Sequence, residues 1–520
     1  MPAAEEAAVA NGLQRKAAAM YVMGLDVGTT GVKACVFDAE GAIKGSGFRE
    51  YGVLCEEPGM GEQDAAQVWA LAVQALGEAI AKAQVRSIRA IGVSVQGDAV
   101  IPVDDDLTPI YNAVLGMDYR SEPQARQCAE RLGERALYDR TGMRPHPMNA
   151  LSKMLWLREM RPDVWKRTRR VLTYADFVNA RLCGAAVIDH TMASRTMAFD
   201  LERRAWAADL LDQLGVDPGL LSRAQPSGTT IGMLGRELCT ELRITEGAQV
   251  VTGGHDQVCA ALGAGVVAER RAVISTGTAQ VLSCAFARRP PGDTMFASYY
   301  PCYLHAVKDL LFTFALNHAG GLLFRWYRDT LGVPEVARAQ STATDPYNAI
   351  IRLMPEGPSP LMVLPHWGGS GTPSCDLRSK GAILGLSLAS TRHDIAKAIL
   401  EALSFELRIN CQRMREAGLR HDELVAVGGG ARSEEWLQLK ADILGCPLRT
   451  LAVREAACLG AGLLAGVGSG LYESADEAVG RTVKTTRVYE PNPEHIRRYD
   501  ERFGLYTQLY PALREVNHRL

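Results

Sequence analysis

Asp26-Val27-Gly28-Thr29-Thr30-Gly31-Val32-Lys33 combines the groups that a phosphate site needs. Its glycines let the backbone turn tightly and approach an oxyanion, while Thr hydroxyls and amides donate hydrogen bonds to it. Asp26 can hold a Mg2+ ion through water, and Lys33 can offset phosphate charge. The same residues also make an ordinary hairpin turn, so the motif alone leaves the two readings level. It is not a GxxxxGK[ST] loop, which occurs nowhere in the chain. Ser275-Thr276-Gly277-Thr278 repeats the composition. Two such turns at matching points of two similar halves are better evidence than either, since together they can clamp a triphosphate.

Gly253-Gly254-His255-Asp256-Gln257 places a carboxylate directly after paired glycines. With a reference pKa of about 3.9, Asp256 is expected to be ionised and ready to accept a hydroxyl proton without tuning. The plainer reading is an Asp capping the helix that follows. Gln96-Gly97-Asp98 and Asp118-Tyr119-Arg120 supply polar groups suited to vicinal hydroxyls, because residues that follow a buried strand often line a ligand crevice. Taken singly, Asp98 reads as a turn residue and Asp118 with Arg120 as a surface pair worth little.

These residues need elements to hold them. Residues 21–26 and 32–38 read as strands around the first Gly/Thr turn, with a second turn at Glu40-Gly41. Apolar spacing predicts a helix over 67–84, and the run 88–95 a buried strand ending at Gln96. The strand, turn, strand unit returns at 271–275 and 280–284, the sign of a duplicated architecture. A strand over 249–252 leads to the Asp256 motif and to an Ala-rich helix over 259–265. Further on, a helix is expected over 397–416 and a strand over 424–427 running into Gly428-Gly429-Gly430. Ser433 then N-caps a helix that ends at Gly445. Residues 491–520 read as one terminal helix. Strands alternating with helices give an α/β fold with a largely parallel core.

At 520 residues the chain is too long for one core. Hydrophobic residues are 47% and charged ones 22%, the balance of a soluble globular protein. With 57 basic and 59 acidic residues the net charge is −2, which gives no electrostatic reason to expect nucleic acid or an anionic membrane as partner. No apolar run approaches the ~20 residues that cross a bilayer. The 12 scattered cysteines form no CxxC pair and point to reduced thiols and a cytoplasmic setting. Residues 1–20 lack an apolar core and read as a disordered leader.

Taken in order, these motifs resemble the FGGY carbohydrate kinases, over nearly the whole chain after Tyr21. The most specific stretch runs from Gly428-Gly429-Gly430-Ala431-Arg432-Ser433 through Glu434-Glu435-Trp436-Leu437-Gln438 to Ala441-Asp442-Ile443-Leu444-Gly445. It looks like the family's adenosine-binding signature, and Glu455-Ala456-Ala457-Cys458-Leu459-Gly460-Ala461 like the helix that follows it. The resemblance implies two actin-like (ribonuclease H-like) domains flanking a catalytic cleft, over residues 21–266 and 267–520. It also implies a sugar kinase that uses ATP and Mg2+, with lobe closure excluding water as a competing nucleophile.

Roles follow by position. Asp26 would hold the metal shell, and Thr29, Thr30 and Lys33 would meet the phosphates. Thr276, Gly277 and Thr278 would form the second phosphate turn, and Gly429, Gly430 and Ser433 would border the adenosine. Asp256 would be the base, with Gln96, Asp98, Asp118, Arg120 and Gln257 around the substrate. Glu62-Gln63-Asp64, Lys153 to Leu157, and Asp189 with Ala193-Ser194 look like the xylulokinase branch. Gly97 and Asp98, however, stand where that branch usually has Met and His, and Gly116 where many relatives carry Trp. A ketopentose such as xylulose is the expected acceptor, with a linear polyol (erythritol, xylitol or glycerol type) as the alternative. A non-catalytic sensor is the rival of another class. Kinases of this kind are often homodimers, though nothing in the sequence marks an interface.

Overall fold

Val22–Val27, Gly31–Phe37 and Ile43–Glu50 form an antiparallel meander, and Val22–Val27 pairs in parallel with Ala90–Val95 on its other side. Gln249–His255 extends the sheet in parallel, and Thr230–Met233 closes it antiparallel. The computed structural model describes residues 20–520, so the expected leader falls outside the described residues apart from Met20. The chain divides into two compact units, the first of them built on this sheet.

Register decides which side chains meet. Asp26 lies opposite Lys33 across one ladder and opposite Ser94 across the other. Since side chains alternate with period two, a one-residue slip of Val22–Val27 would turn Asp26 to the face opposite Lys33 and Ser94. Both Val22–Val27 and Ala90–Val95 are almost wholly buried, as expected of central parallel strands. Helix Ala65–Ala83 covers the meander, and its N-cap Asp64 accepts from the amides of Ala66 and Gln67.

The second unit repeats the plan. Its strands run in the order Leu311–Asn317, Gln280–Phe286, Arg270–Thr276, His421–Val427 and Leu448–Leu451, with Thr485–Tyr489 added antiparallel. Arg270–Thr276 pairs antiparallel with Gln280–Phe286 and parallel with His421–Val427. Outward from Arg270–Thr276, the antiparallel neighbour on one side and the two parallel strands and antiparallel edge on the other match the first unit, which gives physical content to the duplication read from the two Gly/Thr turns. Tyr303–Leu304, paired with Leu311–Asn317, has no counterpart there among the described residues. Helix Arg392–Glu416 starts at a capping box of Thr391 and Asp394 and buries one face in the core of this unit.

Two expectations need correction. The second half is not continuous, because Pro301–Phe312 and Glu455–Val483 pack with the first unit. Helix Ala456–Gly468 lies on the first sheet because glycines face it: a Cβ on Gly24 would sit 1.8 Å from Cys458 O, and one on Gly92 2.2 Å from Ala461 O. The terminal helix is also two helices, Pro493–Tyr506 and Leu509–Asn517. Pro511 lacks the N–H that would bond back to Thr507, and it is tolerated in the first turn of a new helix.

Candidate active site

In the first unit the Gly28–Gly31 turn is braced from several sides. Gly28 N–H donates to Gly31 O at 3.0 Å, and the Tyr51 hydroxyl donates to Gly28 O at 2.7 Å. Gln63 Nε2 donates to Thr29 O at 2.6 Å. Gln96, expected at the substrate, spends its amide here instead. Its Oε1 accepts from the Thr29 hydroxyl at 3.2 Å, and its Nε2 donates to Gly28 O and to Gln63 Oε1. The physical reason is its place at the end of a strand adjacent to the turn, where a Gln just spans the gap. Thr30 is exposed and Thr29 half-buried.

Beneath the turn, Lys33 Nζ pairs with Glu455 at 2.7 Å. Glu455 was legible as part of a motif but carried no expected role here, because its unit was misassigned. Asp26 accepts from the Ser94 hydroxyl at 2.7 Å. Burial raises its pKa to about 6, against the Ser94 hydrogen bond and Lys33, with Glu455 adding to the rise.

Asp256 opens helix Asp256–Gly263 directly after strand Gln249–His255, with His255 as the N-cap residue. Its Oδ1 accepts from the Gln257 amide at 2.6 Å and lies 3.1 Å from His255 Nε2. The expectation of an untuned carboxylate is corrected: burial and then the Asp26 carboxylate push its pKa up to about 7. Gln257 stands beside it, half-buried.

Asp98 is buried with φ +66° and pairs with the fully buried Arg195, while its Oδ1 is buried without a hydrogen-bond partner. Lys153 donates to Asp98 O at 2.9 Å and to Met148 O. Burial lowers the Lys153 pKa to about 8. Asp118 and Arg120 form no surface pair. Asp118 is wholly buried, accepts from Gly61 N–H at 2.7 Å, and is gripped by Arg120, which also reaches Glu62 at 2.6 Å and lies over the Trp156 ring. The bonds of this pair go to the protein, to Gly61, to Glu62 and to each other.

In the second unit, Thr276, Gly277, Thr278, Gly429, Gly430 and Ser433 line one cavity of about 600 Å³. Six of the nine expected ATP-site residues are thereby brought together, while Thr29, Thr30 and Lys33 belong to the first unit. Gly430 has to be glycine, since a Cβ there would lie 2.6 Å from that of Thr276. Ser433 caps helix Glu434–Leu444 through the Trp436 amide. Phe324, Arg325, Tyr347, Asn348 and Trp436 also line the cavity, and its aromatic wall has Phe324 5.5 Å from Tyr347 and 6.2 Å from Trp436. Sequence reasoning missed the first four, which lie in a stretch without a motif. A separate cavity of about 310 Å³, lined in part by His366, Glu406 and Tyr506, holds none of the expected residues.

An apolar-walled cavity beside Gly/Thr backbone turns suits a nucleotide, and a carboxylate poised near neutrality suits proton abstraction from a hydroxyl. The model of the FGGY family of carbohydrate kinases, N-terminal domain, matches residues 21–263, and that of its C-terminal domain residues 272–469. The chain belongs to the FGGY family of carbohydrate kinases. As an FGGY kinase it phosphorylates a sugar at the expense of ATP. The xylulose kinase of Bacillus subtilis (strain 168) is 28% identical over 502 residues, covering 96% of this chain and 98% of the relative. The autoinducer-2 kinase of Yersinia enterocolitica is 28% identical over 490 residues, 91% of each chain. Among solved structures, the xylulose kinase from Rhodospirillum rubrum superposes with a TM-score of 0.85 at 25% identity, covering 96% of this FGGY kinase and all of that chain. No helix among the described residues is long and apolar enough to cross a membrane.

Proposed function

We propose that this kinase phosphorylates a ketopentose, with xylulose the favoured acceptor, and that Asp256 is the base. The observation that carries the reading is the Asp256 carboxylate itself: it opens a helix at the end of a central strand, with its pKa raised to about 7. A base of that pKa is half ionised near neutral pH, where proton abstraction is most effective. The acceptor assignment is supported by the relatives named xylulose kinases.

Asp256 takes the proton of the attacking hydroxyl, and Asp98 is proposed to accept from a second hydroxyl through its unpartnered Oδ1. Gln257, half-buried beside Asp256, is assigned to the same acceptor. Thr29, Thr30 and Lys33 receive phosphate oxygens, as do the amides and hydroxyls of Thr276–Thr278. Gly429, Gly430 and Ser433 border the adenosine, with Trp436 and Phe324 offering apolar faces. Phosphoryl transfer passes through a loose transition state, so positioning and charge neutralisation do most of the work. Asp26 suits Mg2+: it is a carboxylate at the end of a strand beside the phosphate turn, its pKa raised by burial, and Mg2+ commonly takes one or two carboxylates alongside phosphates and water. Such an ion supplies charge neutralisation to the phosphates. The twelve scattered cysteines of the sequence, with no CxxC pair, suit a reducing, cytoplasmic setting.

A second reading is favoured by one feature. Gly97 and Asp98 replace the Met and His usual in xylulokinases, and His255 and Arg195 occupy the space beside Gly97. An altered pocket of this kind suits a linear polyol or the acceptor of the autoinducer-2 kinases. ADP release with Mg-ATP, measured across xylulose, ribulose, xylitol, erythritol and glycerol, separates the readings. Strongest stimulation by xylulose supports the first, and by a polyol the second. ATP binding with no stimulation by any acceptor would count against both.

A further inference from the structure

Strand Tyr303–Leu304 lies in the segment that returns to the first unit, and it brings a buried phenol to the base. The Tyr303 hydroxyl stands 3.2 Å from His255 Nδ1, with the two rings edge-on at 5.7 Å. On the other side of the ring, His255 Nε2 stands 3.1 Å from Asp256 Oδ1. The backbone of His255 is pinned too, its N–H donating to Thr191 Oγ1 at 2.8 Å, while Thr191 itself donates to the helix-capping Asp189. Gly97 completes the packing, because a Cβ there would lie 2.8 Å from His255 Nε2 and 3.1 Å from Arg195 Nε.

We propose that Tyr303, hydrogen-bonded to His255, and His255, in contact with Asp256 Oδ1, form a relay that aims the Asp256 carboxylate, His255 being a positioning residue for the base. This rests on the assignment of Asp256 as that base. The direction of the bonds follows from donors and acceptors. Arg195 lies 5.1 Å from the Tyr303 ring centroid and hydrogen-bonds its hydroxyl, and a guanidinium only donates. The phenol proton is therefore the one directed at His255 Nδ1. That fixes the imidazole proton on Nε2, the nitrogen that lies 3.1 Å from Asp256 Oδ1. Burial beside Arg195 keeps the imidazole neutral, so it carries a single proton.

Oδ1 thus accepts from the Gln257 amide and has the His255 ring in contact beside it at 3.1 Å. Oδ2 is left as the oxygen that takes the proton of the attacking hydroxyl. His255 neither gains nor loses a proton in the step. It prevents the carboxylate from rotating, as an outer-shell partner fixes a metal ligand.

The test compares His255→Leu, His255→Gln and Tyr303→Phe with Asp256→Asn. ADP release is measured with xylulose, or with whichever acceptor of the panel supports turnover. His255→Leu and Tyr303→Phe are expected to lower kcat by about 10- to 100-fold, with KM for ATP and acceptor moving less than about threefold. His255→Gln, which keeps an N–H near the Nε2 position, is expected to recover most of the loss. Wild-type kcat in His255→Leu beside an inactive Asp256→Asn would overturn the relay and leave the base standing. Undiminished turnover in Asp256→Asn would overturn the base, and the relay with it. Should His255→Leu fail to fold, Tyr303→Phe removes a single oxygen, and its wild-type kcat would equally overturn the relay.

Discussion

Lys33 and Glu455 stand 422 positions apart in sequence and share an ion pair of 2.7 Å. Strand Gly31–Phe37 carries the lysine, and the turn before helix Ala456–Gly468 carries the acid. Both side chains are about one-third exposed, at 33% and 35%, so solvent screens the pair and its worth to stability is within about 1 kcal/mol. In the proposed reading its use is to aim the ammonium group at phosphate oxygens. Glu455→Gln is expected to lower kcat/KM for ATP by about tenfold while leaving the melting temperature nearly unchanged. ATP saturation curves and thermal melts on the same preparations check both halves.

The contact that delivers Glu455 depends on missing side chains. A Cβ on Gly24 would lie 1.8 Å from Cys458 O, and backbone on both sides has no room to give. Gly24→Ala is expected to cost at least about 3 kcal/mol in urea unfolding. A loss below about 1 kcal/mol would show that the helix can lift from the sheet.

This contact also marks where sequence reasoning stopped. Strand and helix existence was legible wherever apolar spacing was clear: the helix expected over 67–84 is Ala65–Ala83, and the strand expected over 424–427 is His421–Val427. The Gly/Thr turns and the Ser433 cap were legible because turn chemistry is local. Crossing of segments between units was not, since Glu455 and Tyr303 reach the first unit through packing that no local pattern encodes. Gln96 and the Asp118–Arg120 pair read as substrate or surface groups because the contacts that bury them, with Thr29, Gly61 and Glu62, come from far away in sequence. The tuning of Asp256 was likewise invisible, as it comes from burial and from Asp26.

That tuning sets a pH dependence. A base must be ionised to act, so kcat/KM for the acceptor is expected to fall about tenfold per pH unit below about 7 and to level off above it. The sign for stability is opposite. A carboxyl group whose folded pKa lies above 3.8 favours the fold when protonated, and this contribution is lost as pH rises from about 4 to about 7. Asp256→Asn is therefore expected to melt higher than the parent at pH 8 in the absence of ligands, and the two to converge near pH 4.

Lys440 offers a test in the other unit. It is 1% exposed, donates to Thr276 Oγ1 at 2.9 Å and lies 4.0 Å from the Trp436 ring centroid. Burial pushes its pKa down to about 7. A lysine with a depressed folded pKa weakens the fold at low pH, and stability is regained as pH rises from about 7 towards 10.5. Lys440→Met is expected to raise the melting temperature by about 2 °C or more at pH 6, with the gain shrinking by pH 9. Gln280 still donates to Thr276 in that variant, which keeps the turn held.

The central claim is a sugar kinase with Asp256 as its base. Phosphorylated product formed from xylulose and Mg-ATP, followed by 31P NMR for the parent and for Asp256→Asn, tests it most directly. A sugar phosphate signal that grows with ADP in the parent and is absent in the variant is the expected result. Equal product from both proteins, or ATP consumed with inorganic phosphate as the sole product in the presence of every acceptor, would contradict it.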